Sequence, residues 1–165
     1  MDITFVRRSC RVGLIVLAGV LVSIPALAQT RAEGLIHHYT EDLDGNGPWQ
    51  IVGEWSLTLN PANGTVDLLA IFSMARSENP NRSPHTHHIS MPGGQVAAIA
   101  NGFRISGTAV IANNGNVAPF SNSPVSVDIT GGNSVGFSNV NVTFGGAAAA
   151  HFGAEPVRGV VRLEQ

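Results

Sequence analysis

The stretch Trp49-Gln50-Ile51-Val52-Gly53-Glu54-Trp55-Ser56-Leu57-Thr58-Leu59 decides the fold. Its large residues Trp49, Ile51, Trp55, Leu57 and Leu59 all stand at odd positions, with Gln50, Glu54, Ser56 and Thr58 between them. Alternation of that length predicts a β-strand with one face on a core and the other in water. Asn60-Pro61-Ala62-Asn63-Gly64 then reads as a hairpin turn. The return strand spans Thr65 to Ala75, with Val66, Leu68, Ala70, Phe72 and Met74 on one face.

The same period continues outward in both directions. Leu35 to Thr40 supplies a first strand. His85 to Met91 forms another, closed by the turn-forming Pro92-Gly93-Gly94. Gln95 to Ile111 follows, changing parity at Asn101-Gly102. Val125, Val127 and Ile129 mark the next strand, and Val135 to Phe144 changes parity at Ser138-Asn139. Val157, Val161 and Leu163 mark the last. Each parity change is either a hairpin turn or a bulge carrying one extra residue. Two bulges give about eight strands and an all-β fold, a small antiparallel meander barrel. Two turns give about ten strands and make a two-sheet β-sandwich the alternative. In the eight-strand meander the long connections 41–48, 76–84, 112–124 and 145–155 all fall at one end. The short ones, 61–64, 92–94 and 131–133, fall at the other.

Residues 1–28 have the three parts of a cleavable secretory signal. Arg7, Arg8 and Arg11 are basic, Val12 to Val22 is apolar, and Ala26-Leu27-Ala28 fits signal peptidase. Cleavage after Ala28 leaves residues 29–165 as a single all-β domain, secreted or periplasmic. The apolar run is too short for a membrane span, which takes about 20 residues. Residues 29–165 carry six Arg and no Lys against ten Asp and Glu, a net charge of −4. That composition lacks the basic patch of a nucleic-acid binder and any lysine for Schiff-base chemistry. The only cysteine, Cys10, leaves with the signal, so the domain rests on its apolar core.

All six histidines lie beyond the signal, at positions 37, 38, 85, 87, 88 and 151. His85-Thr86-His87 places two imidazoles on one face of a strand, about 6–7 Å apart along it. Parity groups them with Ile89 and Met91 and turns them inward, while His88 turns to solvent. His85 starts its strand at the long-loop end, and His151 lies in the last long loop. The Gly145-Gly146-Ala147-Ala148-Ala149-Ala150 run before it reads as a turn of helix or a flexible loop. Three imidazoles on one centre are the ligand set of a first-row ion, so His85, His87 and His151 form a candidate Zn²⁺ or Cu²⁺ site. His37 and His38 are additional candidate ligands. The competing reading makes them partly buried histidines bonded to backbone or carboxylate.

The surrounding residues do not continue a familiar H-x-H pattern. A cupin requires a Glu shortly after the pair, where Met91-Pro92-Gly93 stands. Asp42-Leu43-Asp44-Gly45-Asn46-Gly47 opens like a calcium loop, but its twelfth position is Gly53, so it reads as an acidic turn. No nucleophile elbow is present. Three functions follow as expectations. One is an exported barrel binding a transition metal or small ligand through histidines at one end. Another is a secreted metal- or His-dependent enzyme using them. The third is a structural or surface-interaction module.

Overall fold

The alternation begun at Trp49 extends into eight strands. They are β1 (Arg31–Tyr39), β2 (Trp49–Asn60), β3 (Thr65–Arg76), β4 (His85–Ile99), β5 (Gly102–Asn113), β6 (Val117–Thr130), β7 (Phe137–Phe144) and β8 (Val157–Arg162). One short helix, α1 (Ala147–Phe152), lies between β7 and β8. This is a computed structural model describing residues 31–42, 45–79, 81, 83–114, 117–131 and 137–162. The export signal expected over 1–28 lies outside the described residues, as do Asp44, Val135 and Leu163.

Each strand pairs antiparallel with the next, and β8 returns to β1, so the sheet is a closed meander barrel. The β-sandwich is thereby set aside. Inward positions of every strand fill the interior. Ile51, Phe72, Met91, Ile111, Val127 and Val140 are fully buried from six different strands. An eight-stranded barrel has an interior just wide enough for side chains to fill. Phe72 is fully buried, with edge-on contacts to Phe144 and Phe152 at 6.3 Å each.

Two parts of the strand assignment are corrected. Pro92-Gly93-Gly94 does not turn the chain. The register slips by one residue there against both neighbours, so the segment is a bulge within β4. Gly93 takes φ 66°, and its N–H donates to Asp67 Oδ1 at 2.7 Å. Pro92 costs no ladder bond at a bulge, which is where a strand tolerates it. The chain turns instead at Ala100-Asn101, with Asn101 in the left-handed region at φ 60°. Gln95–Ile99 therefore belongs to β4. Second, 112–124 is not a long connection, because β5 runs to Asn113 and β6 begins at Val117. Asn122 and Pro124 lie within an irregular part of β6. Its register shifts twice against β5, and Asn122 has φ 58°. The count of eight survives because one turn was exchanged for another.

In a meander the connections after β1, β3, β5 and β7 lie at one end. α1 is thus at the same end as the start of β4. Its Ala148 and Phe152 are buried, and Phe152 stacks on Phe144 at 4.1 Å. The helix plugs the barrel at that end.

The seam between β1 and β8 is drawn tight. A Cβ on Gly34 would lie 1.9 Å from the Val160 carbonyl oxygen, and one on Gly159 would lie 2.2 Å from that of Leu35. Only a residue without Cβ permits this approach, and overpacking of this kind costs about 1–3 kcal/mol. Gly159→Ala is expected to destabilise by at least that much in equilibrium urea unfolding. Gly64→Ala, where the added methyl meets nothing within 4 Å, serves as the control and costs about 1 kcal/mol for its φ alone. Equal losses in the two variants would contradict the closed seam.

Candidate metal centre

β4 opens on the histidine pair. Its alternation runs His85, His87, Ile89, Met91 along the inner face, with His87, Ile89 and Met91 buried and His88 exposed. Both expected directions hold. Across the same end of the barrel, α1 carries His151 in its last turn, one residue before the buried Phe152. Burying Phe152 fixes the helix against the interior and thereby sets His151 over the pair.

The three rings converge through one atom each. His151 Nε2 lies 2.8 Å from His87 Nε2 and 3.2 Å from His85 Nε2. The three residues form a group whose possible ligand atoms lie within 4.8 Å of one another. Ring centroids are 4.9 Å apart for His85 and His87, 5.3 Å for His85 and His151, and 4.7 Å for His87 and His151.

The tautomer of His85 follows from its other nitrogen. Nδ1 lies 2.8 Å from the carbonyl oxygen of Ser83, which can only accept, so Nδ1 carries the proton and Nε2 presents a lone pair. Ser83 reaches that position with φ 55°, an uncommon conformation for a residue with a side chain. The strained turn aims its carbonyl at the ring.

Aromatic side chains wall the group. Trp49 meets His85 at 5.1 Å, Phe120 meets His151 at 5.4 Å, and Phe152 meets His87 at 4.9 Å. The buried Arg76 guanidinium lies 4.1 Å over the Trp49 ring and donates to the Gly47 carbonyl, which holds the indole in place. Such walls disfavour a charged imidazole. Burial first, then the neighbouring His151 and His85, lowers the His87 pKa to about 3, against a small opposing effect of the Ala112 backbone. Burial and then His85 lower that of His151 as well. At neutral pH His87 and His151 are therefore neutral, the form in which histidine binds a metal.

The other candidates fall elsewhere. His37 turns outward, and the Gln50 amide donates to its Nε2 at 3.2 Å. His38 is inward and buried, with Nε2 unpartnered. Its pKa is lowered by burial and by Arg158, with Glu155 opposing. Neither joins the group of three. In the acidic segment, Asp42 Oδ1 accepts the Asn46 N–H at 3.0 Å. A groove of about 770 Å³ runs over the outer face of β1–β5, lined by Leu35, Glu54, Leu69, Ile71, His88 and Val110 among others. It holds none of the three imidazoles.

Sequence patterning missed the supporting residues. Trp49 packs against the core as its parity implies, and it also stands between Arg76 and His85, which parity does not signal. Ser83 acts through its carbonyl, for which no side-chain signal exists. Asn113 was assigned to a loop, although it is the inward end of β5 opposite His87.

The protonation states give a pH dependence. A free histidine titrates near 6.5. Above that pH neither the folded nor the unfolded chain holds a proton on His87. Below it the unfolded chain binds one that the folded site refuses until about pH 3. Metal-free protein should thus be most stable above pH 6.5 and lose stability as the pH falls towards 3. The slope is about 1.4 kcal/mol per unit for this one histidine. Urea unfolding of chelator-treated protein between pH 7 and 4 measures it, and His87→Leu should flatten the slope. A wild-type profile level across that range would refute the assignment.

No protein-family model matches this chain, and no curated protein and no solved structure is significantly similar to it.

Proposed function

We propose that this chain is an exported β-barrel protein that binds a divalent transition metal, Zn²⁺ or Cu²⁺, through the Nε2 atoms of His85, His87 and His151. The observation that carries the reading is the convergence of those three nitrogens, with separations of 2.8 and 3.2 Å on His151. Zinc–imidazole bonds of about 2.0–2.1 Å in a tetrahedron place ligand nitrogens about 3.3 Å apart. The closest pair therefore opens by about half an ångström to admit the ion.

Three further features support it. His85 is already in the ligating tautomer through Ser83. The lowered pKa values of His87 and His151 mean that protons do not compete for the site at neutral pH. The ligands are all nitrogen, which suits Zn²⁺ and Cu²⁺ and not the oxygen-seeking Mg²⁺ or Ca²⁺. Export rests on the basic, apolar and small-residue segments of 1–28, with removal after Ala28. Among the described residues no helix is long and apolar enough to cross a membrane.

Untagged protein, exported through its own residues 1–28, should carry about one equivalent of zinc or copper by elemental analysis. His85→Ala and His87→Ala should each lose it, and His88→Ala, altered on the outer face, should retain it. Added metal at 100-fold above Kd should stabilise the fold by about 2.7 kcal/mol. Protein that neither contains nor takes up either ion refutes the reading. Amino-terminal sequencing of the exported form should begin at Gln29, and a retained Met1 would refute cleavage.

A further inference from the structure

Two polar atoms beside the imidazoles are buried without a hydrogen-bond partner, His87 Nδ1 and Asn113 Oδ1. The residues that carry them are paired across β4 and β5. Both point inward, Asn113 continuing the face of the buried Ala109 and Ile111. The adjoining pair, Thr86 and Asn114, is joined by the Asn114 N–H to the Thr86 carbonyl at 2.8 Å. Ladder bonding alternates along an antiparallel pair, so His87 and Asn113 form the close, non-hydrogen-bonded kind. Side chains in such pairs stand nearest to each other, with Cβ atoms about 4.5–5.5 Å apart.

A metal on Nε2 settles which nitrogen of a neutral imidazole keeps its proton. Nδ1 of His87 then becomes a buried donor, and an amide oxygen is an acceptor. Leaving both unpaired costs the desolvation of each, whereas a hydrogen bond between them satisfies both. His85 already shows the arrangement, with the Ser83 carbonyl on its Nδ1.

We propose that Asn113 is a positioning residue of the metal centre: its Oδ1 accepts the Nδ1 proton of His87 and fixes that ring with Nε2 on the ion. This rests on the three-histidine reading above. The other acceptor in reach is the Ala112 carbonyl, which acts on His87 from the same strand. Outer hydrogen-bond partners of ligating histidines typically account for 10–100-fold in metal affinity.

The test titrates wild type, Asn113→Leu and Asn113→Asp with Co²⁺, followed by its visible spectrum, and with Zn²⁺ in competition. Asn113→Leu should weaken zinc binding 10–100-fold and alter the cobalt bands. Asn113→Asp, which keeps the acceptor and adds charge, should bind zinc as tightly as wild type or more tightly. Urea unfolding checks that each variant folds. Should Asn113→Leu not fold, the aspartate variant decides, and zinc binding weaker than wild type overturns the proposal. Leucine affinity within about twofold of wild type, with an unchanged cobalt spectrum, also overturns it and gives the role to Ala112. Wild type that binds neither ion removes the metal reading itself, an outcome distinct from either variant result.

Discussion

The β1–β8 ladder is the constraint on which everything else in this molecule depends. It is short, running from Glu33 opposite Arg162 to Ile36 opposite Gly159. Without it the eight strands are an open sheet with two edges, and their inward faces share no interior. With it, alternate residues from all eight strands become one core, and the end that carries α1 becomes a mouth. Gly34 and Gly159 stand in it where an added Cβ would run into the facing carbonyl oxygen, as Gly53 and Gly102 do in the β2–β3 and β5–β6 ladders. Closure thus brings the start of β4 and the helix after β7 to one end of the barrel, where His85, His87 and His151 meet.

Much of that fold was legible because a barrel strand obeys a local rule. Ile51, Trp55 and Leu57 are buried from the odd positions of β2, and Val66 to Met74 from the even positions of β3. What was not legible was which irregularities turn the chain. Pro92-Gly93-Gly94 has stronger turn chemistry than Ala100-Asn101, yet the chain passes through the first and reverses at the second. The difference is a tertiary contact, the Asp67 carboxylate holding the Gly93 N–H from β3. Likewise Pro124 sits in the ladder opposite Thr108, where composition alone suggests a loop. Local propensity ranks turns, and pairing partners choose among them.

The site divided along the same line. Period two put His85 and His87 inward and His88 outward, and end-to-end alternation of a meander brought His151 to the same mouth. His38 is also inward, but it does not join the group, and His37 faces outward with Gln50. The atoms that tune the rings escaped notice because their roles are not written in residue type. The Ser83 carbonyl fixes a tautomer through a backbone angle. Trp49 and Phe120 set the polarity around the imidazoles by enclosing them.

The distribution of exposure over the three rings bears on what the centre does with an ion. His87 is fully buried, whereas His85 and His151 are half-buried. Three neutral ligands cancel none of a divalent charge, and the surrounding aromatics offer only weak compensation. An ion held here is therefore stabilised best with its remaining coordination position on the side of His85 and His151, towards the mouth and solvent. Three protein ligands with a fourth position left over is the arrangement of reactive zinc sites, in contrast to the four closed ligands of structural ones. An ion bound there would also tie α1 to β4. A six-residue helix has no stability of its own, and Gly146 provides no side-chain cap at its start. Phe152 anchors it by packing, and a bond through the adjacent His151 would add a second anchor across the barrel. On the proposed reading, metal binding would therefore also hold α1 in place, through the same three nitrogens.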